Sequence, residues 1–162
     1  MPKITIKQEK LCLLLLIPAN LCYVLAIFSH AWFKLPGVSY GLWWAIFCDY
    51  LSCQIIPAFF TEEPAWYHII QLLSLIGWAG MILSLLMMYK HFHIIDKYNL
   101  RRQQAIALLC IMSGFTISLN LIIFYGKLDE SSPSAVPQIQ WSAILAAVAC
   151  ILQFLTGLLL IQ

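Results

Sequence analysis

The chain has 162 residues, 62% of them apolar and 10% charged, with a formal net charge of +2 and a mean hydropathy of +0.87. A soluble domain carries about a quarter charged residues and about half apolar ones, so lipid must solvate most of this chain. Disorder, a soluble enzyme and a nucleic-acid binder are set aside together, the last because +2 is too little charge to hold a polyanion.

Four apolar stretches are long enough to cross about 30 Å of hydrocarbon at about 1.5 Å per residue. They are Leu11–Ser29, His68–Tyr89, Ala105–Tyr125 and Trp141–Ile161, and none contains Asp, Glu, Lys or Arg. Lys3, Lys7 and Lys10 precede the first stretch, and Lys90, Lys97, Arg101 and Arg102 lie between the second and third. The other two connections hold only Lys34 and Lys127, alongside Asp49, Glu62, Glu63, Asp129 and Glu130. This imbalance predicts a multi-pass protein with cytosolic N- and C-termini, outer loops at residues 30–67 and 126–140 and a cytosolic loop at 90–104. A cleaved secretory signal is the competing reading of residues 1–31, since Ser29-His30-Ala31 has small residues where cleavage wants them. The apolar run is longer than the usual signal core, so the segment is read as a span.

Each later span carries a stripe of small or weakly polar residues: Gln71, Ser74, Gly77, Gly80 and Ser84; then Ser113, Thr116 and Asn120; then Ala146, Ala149, Gln153 and Gly157. Such stripes let helix backbones approach, so they are predicted to face the bundle interior; a transport pathway would want ionisable groups at that depth. Pro18 cannot donate to the Leu14 carbonyl, which predicts a local kink. Asn20 is placed to satisfy a freed backbone group or to bond a neighbouring helix.

In the first outer loop, Tyr40–Cys48 is predicted as a strand and Ser52–Ile56 as its hairpin partner, joined by Asp49-Tyr50-Leu51-Ser52. Cys48 and Cys53, the only cysteines outside the spans and their flanks, are expected to bridge across that hairpin. One continuous strand would aim Tyr40, Leu42, Trp44 and Ile46 one way and Trp43, Ala45 and Phe47 the other, leaving both faces apolar. An exposed apolar patch usually marks a contact surface, so Trp44, Ile46, Phe47, Ile55, Phe59 and Phe60 are candidate partner contacts. The alternative is a loop that lies low and buries them on its own bundle and lipid headgroups.

Catalytic chemistry finds little support. The cysteine pair is spaced CxxxxC rather than the CxxC of thiol–disulfide enzymes, and Cys22, Cys110 and Cys150 read as packing residues. Cys12, beside Lys10 near the membrane surface, is a candidate palmitoylation site. His91-Phe92-His93 lacks the carboxylate or thiol cluster that would complete a metal site. No catalytic, cofactor-binding or metal residue is therefore assigned, and neither a cofactor, a small-molecule substrate nor nucleic acid is expected.

Trp32, then Gly41-Leu42-Trp43, then Cys48 and Cys53, resembles the W…GLW…C…C signature of the claudin and peripheral myelin protein superfamily, and the likeness extends over the whole chain. The gap between the cysteines, the Ala65-Trp66 run and Trp141-Ser142 are most similar to the epithelial membrane protein and lens fibre membrane protein branch. The resemblance implies an all-α membrane protein: a left-handed four-transmembrane-helix bundle with a small extracellular antiparallel β-sheet whose last strand lies around Val136–Gln140. It also implies that Trp32 and Trp43 wedge the sheet onto the bundle. The chain departs from the family in having no Asn-x-Ser/Thr site and no Arg leading into the second span. Ending at Gln162, it is also expected to lack the tail by which claudins reach scaffolds.

Together these readings imply a non-catalytic tetraspan protein of the plasma membrane, acting by protein–protein interaction in cell adhesion, cell junctions or membrane organisation. Its partners would be the lipid bilayer and either another membrane protein or further copies of itself. An auxiliary subunit of an ion channel or receptor is the alternative. A paracellular claudin ranks below both, because Lys34, Asp49, Glu62 and Glu63 are too few charges to line a selective wet path.

Overall fold

The structure, a computed structural model, describes residues 6–48, 51–57, 64–93, 100–131 and 138–161. Four helices carry the chain: α1 (Ile6–Phe28), α2 (Ala65–His93), α3 (Leu100–Ser131) and α4 (Trp141–Ile161). All four are long and apolar enough to span a membrane. They outrun the apolar stretches most clearly in α3, which starts at Leu100 because Leu, Arg and Gln are strong helix formers whether or not lipid surrounds them.

The helices form a ring, α1 against α2 and α4, and α3 against α2 and α4. In no span is more than 39% of the central stretch buried within the protein, so lipid must cover the rest. Leu14, Ile122 and Leu108 are among the large apolar side chains pointing outward. Inward lie Gln71, Ser74, Gly77, Ser84, Ser113, Asn120, Ala146, Ala149, Gln153 and Gly157, with Gly80 half-buried beside Ser113. Thr116 departs from the predicted stripe. It is half-buried and donates its hydroxyl to the Met112 carbonyl at 2.9 Å. Ile117 takes the inward place and fills the space beside Gly77, where an added Cβ would stand 3.1 Å from the Ile117 Cγ1.

Hydrogen bonds stitch the ring. Asn120 Nδ2 donates to Ser74 Oγ at 2.7 Å, and Gln153 Nε2 donates to Ser84 Oγ at 3.1 Å and Ser113 Oγ at 3.0 Å. Two helical turns away from Asn120's partner, Asn20 Nδ2 donates to the Leu16 carbonyl at 2.9 Å and the Met81 carbonyl at 3.5 Å, so it serves its own helix and its neighbour at once. The carboxamide oxygens of Asn20, Asn120 and Gln153 have no hydrogen-bond partner among the described residues. Interhelical hydrogen bonds in bilayers contribute only about 0.6 kcal/mol on average, and a buried unpaired acceptor costs about 1–3 kcal/mol. Close packing of small residues, rather than these polar bonds, must supply the net stability.

At the end remote from the sheet, Cys12, Leu16, Met88, Ile106, Ala107, Cys110 and Leu160 form a second apolar cluster. Cys12 is fully buried there. The candidate palmitoylation site thus packs its thiol against the bundle interior rather than presenting it at the surface.

The remaining elements are β1 (Phe33–Leu35), β2 (Val38–Tyr40), β3 (Trp44–Cys48), β4 (Cys53–Pro57) and β5 (Gln138–Ile139). They form one antiparallel sheet in the order β4-β3-β2-β1-β5. β1 is absent from the sequence expectation, although Leu35-Pro36-Gly37-Val38 carries its signal. Pro presets the first turn position, and Gly37 sits at φ +82°, a conformation side-chain-bearing residues avoid.

Candidate functional site: the anchored sheet and its outward face

The predicted strand Tyr40–Cys48 is broken. Tyr40 ends β2, Trp44 begins β3, and Gly41-Leu42-Trp43 turns between them, with Gly41 N–H donating to the Trp44 carbonyl at 2.8 Å. The cause lies in α2. The Tyr67 hydroxyl donates to the Gly41 carbonyl, and Gln71 Nε2 donates to the Leu42 carbonyl at 2.6 Å. Both carbonyls are thereby satisfied outside any strand ladder. Leu42 is driven fully into the core, and the chain passes so near the end of α1 that a Cβ on Gly41 would collide with the Ser29 carbonyl oxygen.

Breaking the strand resets which side chains share a face. Phe33, Tyr40, Ala45 and Ile56 lie opposite one another across four strands. Phe33 and Ala45 are buried, and Tyr40 stacks on Phe33 at 4.7 Å between ring centroids, so this is the bundle-facing side. Phe47 shares that side, meeting Tyr40 edge-on at 6.1 Å. Its assignment to an exposed partner surface is therefore corrected. Trp44, Ile46 and Ile55 take the outward side, with Ile46 directly opposite Ile55. Phe59 and Phe60 lie outside the described residues.

The sheet is tied down at its base. Trp32 is fully buried, donates its indole N–H to the Ala26 carbonyl at 2.7 Å, and meets Phe124 of α3 edge-on at 5.1 Å. Around it, Trp32 N–H donates to the Tyr40 carbonyl, Gln140 N–H to the Trp32 carbonyl and Ser142 N–H to the Ala31 carbonyl. The Ser29 and Ser142 hydroxyls pair across α1 and α4. Trp43 is half-buried against the same core. Trp44, though 42% exposed, leans back to donate its indole N–H to the Phe28 carbonyl at 3.3 Å.

The outward face has two halves. On β1, β2 and β5 it presents Lys34, Ser39 and Gln138, and Lys34 and Ser39 border a shallow cleft of about 420 Å³ that reaches Ile46 and Gln140. On β3 and β4 it presents Trp44, Ile46, Ile55 and the Cys48–Cys53 disulfide. The continuously apolar faces expected from the sequence thus hold for β3 but not for the whole sheet. Ile55 is 69% exposed, and Leu51, next to the hairpin turn, is 99% exposed.

The disulfide closes a five-residue separation, which removes about 2 kcal/mol of unfolded-chain entropy. Replacing both Cys48 and Cys53 by Ser is expected to lower stability by about that amount and to reduce delivery to the cell surface. Chemical denaturation checks the first effect, and non-reducing peptide mapping of the wild type should recover the linked peptides.

No protein-family model matches this chain, and no curated protein sequence matches it. Fold and site alone therefore define its class: a multi-pass membrane protein in which a disulfide-tied sheet caps one end of a four-helix bundle.

Proposed function

We propose that this chain is a non-catalytic tetraspan protein of the claudin and peripheral myelin superfamily, held in the plasma membrane with both termini cytosolic, and that it acts in adhesion or membrane organisation through the outward face of its sheet. The observation that carries this reading is the uncovered apolar half of that face. Ile46 and Ile55 lie on the side of the sheet away from the bundle, Ile55 is 69% and Leu51 99% exposed, and Trp44 beside them is 42% exposed although its indole N–H is held by the Phe28 carbonyl. An apolar hairpin tip exposed at Leu51 and Ile55 is free to meet another protein or an apposed surface. Large exposed apolar patches on a folded protein mark such contacts.

The test is proteoliposome clustering with Leu51→Asp/Ile55→Asp. The double variant should cluster at least about tenfold less than wild type, whereas its unfolding free energy should change by about 1 kcal/mol at most, as for two surface positions. Unchanged clustering would remove the adhesive reading. Co-purification of a channel or receptor that depends on the same two residues would replace it with the auxiliary-subunit role.

A further inference from the structure

At the end of the bundle remote from the sheet, a groove lies between α3 and α4. Their crossing is set at Gly157, where an added Cβ would stand 2.8 Å from Ile111 Cγ1 and 3.4 Å from the Ala107 carbonyl oxygen. Beyond this contact the helices enclose about 320 Å³ lined by Gln104, Ala107, Leu108, Ile111, Leu160 and Ile161. That volume is at the lower end of ligand-sized sites, which run from about 300 Å³ upward. Leu108 at 61% exposure and Ile161 at 42% open it toward lipid. Seven residues separate Gln104 from Ile111, so the groove runs about 10 Å along the helix axis.

The outer end of the groove is basic. Arg101 stands three residues before Gln104 and seven before Leu108, on the same helix face. Arg102 is adjacent, and both are exposed. The first turn of α3 holds no acidic residue, and its N-terminal amides add positive potential. Opposing influences at this end are the buried Glu9 of α1 and the C-terminal end of α4, whose last carbonyls carry the negative end of its dipole. Gln103 Nε2 donates to one of them, the Leu160 carbonyl, at 2.7 Å. A guanidinium fork matches phosphate oxygens in geometry as well as charge.

We propose that this groove holds one acyl chain of an anionic phospholipid whose phosphate rests on Arg101 and Arg102. An apolar trough lying in hydrocarbon with a cationic end at headgroup depth is complementary to a chain bearing a negative head. A choline headgroup would place a second cation against the two guanidiniums.

The experiment is native mass spectrometry of the full chain in mild detergent, titrated with palmitoyl-oleoyl phosphatidylserine and with phosphatidylcholine of the same chains. One phosphatidylserine should be retained in about tenfold preference, since basic side chains at an anionic surface each contribute several-fold in affinity. Arg101→Gln/Arg102→Gln should abolish that preference. Lys7→Gln/Lys10→Gln, which removes exposed lysines from the same end of the bundle on α1, should leave it within about twofold, as expected for charges outside the site. If the arginine variant fails to fold, Leu108→Trp, which fills the groove mouth with both arginines intact, should lose the retained lipid. An unchanged preference in the arginine or tryptophan variant, or an equal loss in the lysine variant, would overturn the site. Displacement of the lipid by inorganic phosphate or by glycerophosphoserine would show an anion site in which the groove plays no part, and would overturn it equally.

Discussion

Trp32→Ala is expected to destabilise the protein by about 3–5 kcal/mol, the range for deleting a fully buried aromatic, and to leave little of it at the cell surface. Trp32 occupies the junction of three elements: its ring packs on Phe124 of α3, its indole N–H holds the Ala26 carbonyl in the last turn of α1, and its backbone joins β2 to the strand entering α4. Truncation opens a cavity in rigid surroundings and frees a helix-terminal carbonyl in the same step. Trp43→Ala removes an indole that is only half-buried and should cost less. Thermal unfolding in detergent and surface biotinylation measure both. Equal losses at the two positions would mean that the sheet is anchored at Trp43 as firmly as at Trp32.

Gly41→Val should be comparably severe for the opposite reason. A Cβ at this position meets the Ser29 carbonyl oxygen and stands 2.6 Å from His30 Cα. Both are backbone atoms at the end of α1, so no side-chain rotation can relieve the clash. Overpacking costs about 1–3 kcal/mol where side chains can yield, and more where they cannot; here about 3 kcal/mol or more is expected. The variant must lift the 41–43 turn off α1, which also stretches the Tyr67 and Gln71 bonds to the Gly41 and Leu42 carbonyls. Restored stability in the Gly41→Val/Gln71→Ala pair would show that those bonds, rather than the α1 contact, set the position of the turn.

The same turn marks the limit of what could be read from the sequence. Tyr40–Cys48 is predicted as one strand, because aromatic and β-branched residues (Tyr40, Trp43, Trp44, Ile46 and Phe47) dominate the run. The two donors that break it, Tyr67 and Gln71, stand 26 and 29 residues beyond the carbonyls they bind. No local pattern contains that competition. Its effect on the candidate site is direct, since Tyr40 leaves the face it would share with Trp44 and Ile46 in one unbroken strand and joins Ala45 and Phe47 on the bundle side. β1 is a different case: the Pro36-Gly37 turn was legible, but three residues give too short a period to declare a strand. Thr116 was misplaced for a related reason. Helical spacing puts Thr116 near the inward stripe, and only the presence of Gly77 opposite Ile117 decides which of the neighbours enters.

The sequence by itself determined the number of spanning helices, the inward stripes on α2 and α4, and the pair of cysteines that bridge. Those features depend on run length, period and which cysteines lie outside the apolar runs, and each is a property of the chain read along one dimension. The tertiary structure alone decided where the strand breaks, which aromatic residues remain exposed, that Cys12 faces inward, and that a groove lies between α3 and α4 near Gly157. Each of those depends on backbone and side-chain groups far apart in sequence competing for the same space or the same hydrogen bond, and only packing ranks the competitors.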